Sequence, residues 1–253
     1  MNIPKLQAPI VLIHGFLGFN ELRLGGWTLA SYFPRIPAML RAAGNRVLIP
    51  RLHPTRPVTE RAGELKAFLD EHAPREPVHI IAHSMGGLDA RYMVSCLDMG
   101  SRVLSLTTLG TPHRGTPFAD WGIRRLERIV RPVLRLLSVP TGAFYDLTTV
   151  GARQLNEKMP DVTGVRYFSV AAHYTGRFLP EWLLPHSIVL QQEGANDGVV
   201  SVASARWGES LDLWEGDHFS LANWIRPIHI TCGLWKDRAP LYAALVKRLA
   251  TLE

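Results

Sequence analysis

The sequence predicts an α/β fold built on a mostly parallel sheet with helices on both faces. Short apolar runs of strand length alternate with stretches whose apolar positions recur at helical spacing, and this order repeats from residue 9 onward. Strand–helix–strand order implies crossover connections, and crossovers give parallel strands covered on both sides. Between Pro117 and Pro160 the rhythm breaks and no strand can be read, which predicts a helical insertion.

Taken in chain order, residues 9–13 read as a strand running into the loop His14-Gly15-Phe16-Leu17-Gly18. Residues 34–43 read as a helix stopped by Gly44, and 46–51 as a strand. Residues 59–72 form the next expected helix, with Ala62, Leu65, Phe68 and Leu69 on one face. A strand at 78–82, a helix at 86–97 and a strand at 103–109 follow. Later strands are expected at 165–171, 188–191 and 211–214, and a closing helix at 239–249. Within the insertion, residues 121–137 read as a basic amphipathic helical pair bent at Pro132, carrying Arg124, Arg125, Arg128, Arg131 and Arg135. Its place between sheet strands predicts a cap over the sheet's C-terminal edge, where ligands bind in open α/β sheets. Residues 1–253 are therefore expected to form one domain, with 117–160 as a helical cap or lid.

Composition narrows the class. A chain of 253 residues suits one domain with a full core, and 47% hydrophobic with 20% charged residues reads as a soluble globular protein. No apolar run approaches bilayer length. Met1-Asn2-Ile3-Pro4-Lys5 carries no secretion signal, so the expectation is a cytoplasmic chain, or a secreted one whose leader has been removed. Cys96 and Cys232 are expected to be reduced, buried thiols. The net charge of +6 is a mild excess, and no helix-turn-helix, zinc-finger or RNA-binding pattern accompanies it, so nucleic acid is not an expected partner. The clustered arginines suit an anionic lipid surface better.

The strongest chemical signal is Ala82-His83-Ser84-Met85-Gly86-Gly87. It matches small–any–Ser–any–Gly directly after a buried strand and directly before a helix, the context in which a serine is lifted on a sharp turn. Ala82 and Gly86 supply the small neighbours that a strained turn needs. The free N–H groups at the start of the helix lie beside the reacting carbon. Serine is a weak nucleophile at its free pKa, so an imidazole must take its proton and a carboxylate must orient that imidazole. Negative charge developing on a carbonyl oxygen needs backbone N–H donors, and the residue after the nucleophile, Met85, supplies one.

With His14-Gly15-Phe16-Leu17-Gly18, the serine turn, Gly110-Thr111-Pro112-His113-Arg114-Gly115 and Asn196-Asp197-Gly198-Val199-Val200, the chain resembles the bacterial true lipases of the α/β-hydrolase superfamily. Asp217-His218-Phe219 is a weaker fifth piece, and together they span residues 10 to about 220. The resemblance implies an α/β-hydrolase fold and hydrolysis of carboxylic esters, acylglycerols or other lipid esters, through an acyl-serine intermediate. It implies Ser84, then Asp197, then His218, in the chain order of that superfamily. It also implies Phe16 as the second oxyanion donor. His229 competes with His218, but its neighbours Pro227, Ile228 and Ile230 suggest packing. Asp217 adjoins His218 and is set aside as the orienting acid; Asp89 and Asp98 precede the acid's place in the order. His14 and His83 are read as bracing groups.

No cofactor and no metal are expected. Many of these lipases hold a calcium ion through an Asp two residues after the histidine, and here that position is Ser220, a poor ligand for a hard cation. The expected partners are a lipid ester and, transiently, a lipid interface, with monomer as the default state. A phospholipase, thioesterase, polyester depolymerase or acyltransferase would carry the same three residues, because fold and triad do not fix the acyl or alcohol partner. A non-catalytic ligand-binding relative, or a basic lipid- or nucleic-acid-binding module, are the readings from other classes.

Overall fold

The computed structural model describes residues 2–18, 21–24, 27–126, 142–174, 180–224 and 236–253. Strands β1 (Ile10–Ile13), β4 (Val47–Leu48), β5 (Val78–His83), β6 (Val103–Leu109), β7 (Arg166–His173) and β8 (Ser210–Glu215) form a six-stranded sheet in the order β4-β1-β5-β6-β7-β8. Every pairing in it is parallel. The apolar runs explain this arrangement. Along β1 every residue is buried, with Ile10 and Leu12 facing one layer and Val11 and Ile13 the other. A strand buried on both faces has no polar side to alternate.

Helices α1 (Ile36–Ala42) and α10 (Ala239–Leu249) cover the first face, where Leu40, Tyr242, Val246 and Leu249 pack on Ile81, Leu109 and Trp214. Helices α2 (Val58–His72) and α3 (Gly86–Cys96) cover the second, where Leu65, Leu69, Met93 and Val94 pack on Ile80, Ala82 and Leu106. On α2 the buried stripe runs Val58, Ala62, Leu65 and Leu69, as the helical spacing predicts, and it includes Arg61.

The insertion holds α4 (Pro117–Leu126), α5 (Gly142–Asp146) and α6 (Thr149–Lys158), with no strand among its described residues. Asp120 of α4 accepts from the backbone N–H and hydroxyl of Thr149 at 2.9 and 2.8 Å, tying α4 to α6. The Phe144 ring lies against Gly122, where a Cβ would come within 2.6 Å of it. The bend at Pro132, residues Arg128, Arg131 and Arg135, Cys232 and His229 lie outside the described residues.

Three expectations need correction, and one strand pair stands where none was expected. Residues 188–191 are not a strand; they lie in α7 (Pro180–Glu193), which packs against α4. An apolar run of that length carries no period, and the helix continues until Gly194, whose N–H bonds to Leu190 O at 3.1 Å and whose φ of +83° ends it. The strand expected over 46–51 pairs only at Val47 and Leu48, since Pro50 has no N–H to extend the ladder. An antiparallel pair, β2 (Glu21–Leu24) with β3 (Trp27–Ser31), flanks Gly25-Gly26 and was not anticipated. Cys96 is exposed, at the outer end of α3. Short helices α8 (Val202–Ala205) and α9 (His218–Leu221) complete the described fold; among the described residues no helix is long and apolar enough to cross a membrane.

Candidate active site

Ser84 leaves the C-terminal end of β5 with φ 56°, in the left-handed region, and α3 begins two residues later. A non-glycine residue holds that conformation only when its surroundings impose it. Here the Ser84 N–H donates to Leu109 O at 2.8 Å, and its carbonyl accepts from Thr111 Oγ1 at 2.7 Å. At Gly86 a Cβ would come within 2.8 Å of His14 O, so the turn closes only with glycine there.

The structure brings Ser84, Asp197 and His218 together. His218 Nε2 lies 2.9 Å from Ser84 Oγ, and His218 Nδ1 lies 2.7 Å from Asp197 Oδ2. A carboxylate only accepts, so Nδ1 carries the proton and Nε2 is left to receive the serine hydroxyl. The Asn196-Asp197-Gly198 turn presents the carboxylate: Asp197 Oδ1 accepts from Val199 N and Val200 N at 3.1 and 2.8 Å, freeing Oδ2 for the imidazole. The His218 N–H donates to Asp197 O at 2.8 Å, so backbone as well as side chain joins the two. Asp197 is 1% and His218 7% exposed, which keeps this pair out of water while Ser84 stays partly accessible. Asp217 is otherwise engaged, capping α9 through Ser220 N at 2.8 Å. The Ser220 hydroxyl donates to Asp217 O. Among the described residues no group of three or more His, Cys, Asp or Glu stands in reach of one metal position.

The loop after β1 lies against the serine. At Gly15 a Cβ would come 2.6 Å from Ser84 Cβ, so glycine alone permits the approach. Phe16 follows it, and Met85 opens α3; among the described residues neither N–H is spent on a backbone carbonyl. His14 braces the loop, donating from Nδ1 to Gly15 O at 2.9 Å and accepting at Nε2 from Leu52 N at 3.1 Å. Burial, reinforced by the Arg61 charge, pulls its pKa down to about 4, so the ring is neutral. His113 is fully buried and serves its own loop, with Nε2 3.0 Å from Thr108 Oγ1.

Three groups around the site were given no role from sequence, where Asp89 was considered only as the orienting acid and set aside. Arg61 and Asp89 form an ion pair at 2.7 Å with both side chains at 0% exposure. Arg61 also donates to His14 O at 3.0 Å and His53 O at 2.6 Å, so it anchors the loop from beneath. Burial pushes the Asp89 carboxyl up to about 6, against the pull of Arg61. A charged residue on the apolar stripe of α2 was the available signal. Tyr32, the third, had none.

A parallel sheet delivering a serine at a strand–helix corner to a buried His–Asp pair is the architecture of an alpha/beta hydrolase, and the chain belongs to that family, whose model matches residues 10–244. Its relatives include Triacylglycerol lipase 2 of Saccharomyces cerevisiae, 31% identical over 207 residues covering 77% of this chain and 63% of that protein. A triacylglycerol lipase of Vibrio cholerae is 28% identical over 269 residues, covering 89% of this chain and 82% of the relative. The chain thus spans less than two thirds of the yeast relative's length. Among solved structures, the lipase of Staphylococcus hyicus superposes with a TM-score of 0.72 at 19% identity, over 100% of this chain and 97% of that one, a likeness of fold.

Proposed function

We propose that this protein is a carboxylic ester hydrolase of the lipase or esterase kind, working through an acyl-serine intermediate. One observation carries the reading: the continuous hydrogen-bonded line from Ser84 Oγ through the His218 ring to Asp197. Ser84 attacks the ester carbonyl as His218 Nε2 takes its proton, and Asp197 steadies the imidazolium that forms. The tetrahedral oxyanion is met by the N–H groups of Phe16 and Met85. The imidazolium then gives its proton to the departing alcohol, and a water repeats the sequence to release the acid.

The names of the yeast and Vibrio relatives support acylglycerols or other lipid esters as the substrate class. Residues 117–160 act as the cap over the acyl site in this reading, and exposed apolar side chains, Tyr145 of the cap and Leu17 of the loop after β1, make transient contact with a lipid surface. The test is labelling with a fluorophosphonate and hydrolysis of p-nitrophenyl esters of rising chain length. The parent chain is expected to be labelled and active, and Ser84→Ala to lose the label and about 10⁴-fold or more in kcat. An unlabelled parent chain overturns the reading. A maximum on the shortest acyl chains supports an esterase, and one on long chains a lipase.

A further inference from the structure

Beneath the site runs a second line of hydrogen bonds that the chemistry above does not use. The Gly15 N–H donates to Tyr32 Oη at 3.2 Å. Tyr32 Oη is 2.8 Å from His83 Nδ1, and His83 Nε2 is 2.9 Å from the carbonyl oxygen of His218. A carbonyl only accepts, so His83 Nε2 carries the proton. In a neutral ring Nδ1 is then the acceptor, and the Tyr32 hydroxyl must be its donor. Every direction in the line is therefore set: Gly15 to Tyr32, Tyr32 to His83, His83 to His218. His83 is 0% and Tyr32 4% exposed, so water cannot replace a lost partner cheaply. Burial, then the nearby His218, depress the His83 pKa well below the usual imidazole value, which keeps the ring neutral and its directions fixed.

The line joins parts that the chain keeps far apart. Gly15 belongs to the loop that offers Phe16, His83 is the last residue of β5, just before Ser84, and His218 opens α9 after β8. We propose that His83 and Tyr32 are positioning residues, a buried relay that holds the oxyanion-side loop and the backbone of His218 in register with Ser84. The inference rests on the Ser84–His218–Asp197 reading. Neither side chain touches the reacting atoms. His83 fixes the height of the His218 backbone, from which the imidazole reaches Ser84 Oγ. Tyr32 fixes the Gly15 peptide, immediately before the Phe16 N–H. A ring centroid separation of 4.6 Å between His83 and His218 leaves no room for either ring to drift toward the other.

The test uses the full chain and a soluble p-nitrophenyl ester, with kcat expressed per site titrated by a fluorophosphonate. His83→Leu removes both hydrogen bonds; His83→Gln keeps a donor where Nε2–H stood; Tyr32→Phe removes only the hydroxyl. His83→Leu is expected to lower kcat about 10- to 100-fold, the cost of slight misplacement of reacting groups. KM should stay within about twofold, since no substrate contact is lost. His83→Gln should recover most of the loss, and Tyr32→Phe should show a smaller fall in kcat alone. Adding Tyr32→Phe to His83→Leu should cost little more, because both cut one line. The relay is overturned if His83→Leu and Tyr32→Phe turn over at the parent rate per titrated site, or if they alter only melting temperature. It is equally overturned if His83→Gln is as impaired as His83→Leu. Should His83→Leu fail to fold, Tyr32→Phe, nearly the same shape as the parent, decides by the same criteria. A parent chain that neither labels nor hydrolyses any ester removes the underlying reading instead.

Discussion

Gly15 illustrates how little space the site allows at any one position. A methyl group there would lie 2.6 Å from Ser84 Cβ, which moves only with the backbone, and 3.1 Å from Ser84 Oγ. Gly15→Ala is therefore expected to fold but to lose about 100-fold in kcat, through displacement of the loop that carries Phe16. Steady-state kinetics alongside a thermal melt check this, and parent kcat would refute it. Ser84 was legible at this level from its own pattern, a serine between a buried strand and a glycine that opens a helix. Asp197 and His218 were not, since an Asn-Asp-Gly turn and a histidine in a polar loop are common; the resemblance to the lipases and its chain order singled them out. Tyr32 and Arg61 were not legible, because a buried hydrogen bond or ion pair to a distant residue leaves no trace in neighbouring sequence. The exposure of Cys96 escaped for a similar reason, since a thiol's burial depends on which side of a helix meets the core.

Between α2 and α3 the Arg61–Asp89 pair does what apolar contact does elsewhere on the same stripe. Arg61→Ala leaves Asp89 buried without its partner and should cost about 3–5 kcal/mol in unfolding free energy. Replacing both, as Arg61→Met with Asp89→Leu, should recover much of that stability, because the desolvation penalty goes with the charges. Denaturant titration of the three chains distinguishes this from a pair that contributes nothing, for which all three midpoints would coincide. Most elements followed from periodicity: the expected helix at 239–249 and strand at 103–109 match the observed bounds. The strand over 46–51 fell short because of Pro50; two other misses share one cause. At 188–191 and at the β2–β3 pair the segments are too short for the pattern to select one state, and tertiary contacts decide.

The molecule as a whole carries several imidazoles that burial holds neutral. His14 is held at about 4, and His83 and His113 lie well below their usual value, in each case chiefly by desolvation. In the unfolded chain these rings take up protons near 6.5, while folded His14 waits until about 4. Between those values the unfolded state binds more protons, so stability falls as pH falls. For His14 alone the loss is about 3 kcal/mol at 1.36 kcal/mol per pH unit. Asp89 acts oppositely: its folded carboxyl protonates near 6 against 3.8 in the reference state, which adds stability as pH falls through that window. Asp146, also raised by burial, acts with Asp89, and His79, also lowered by burial, acts with the other rings. The rings outnumber the carboxyls, so urea midpoints should drop from pH 7.5 to about 4.5, and equal midpoints would contradict the burial of these histidines.

The order of the strands has a kinetic corollary. Ser84 hangs from an interior strand, whereas His218 arrives only after the edge strand β8, 134 residues further on. A contact of such long span, which waits on the parallel pairing of β8 with β7, forms late, after local helices have appeared. During refolding, reactivity toward a fluorophosphonate should therefore lag behind the recovery of helical circular dichroism, making covalent capture a stopwatch for closure of the last strand.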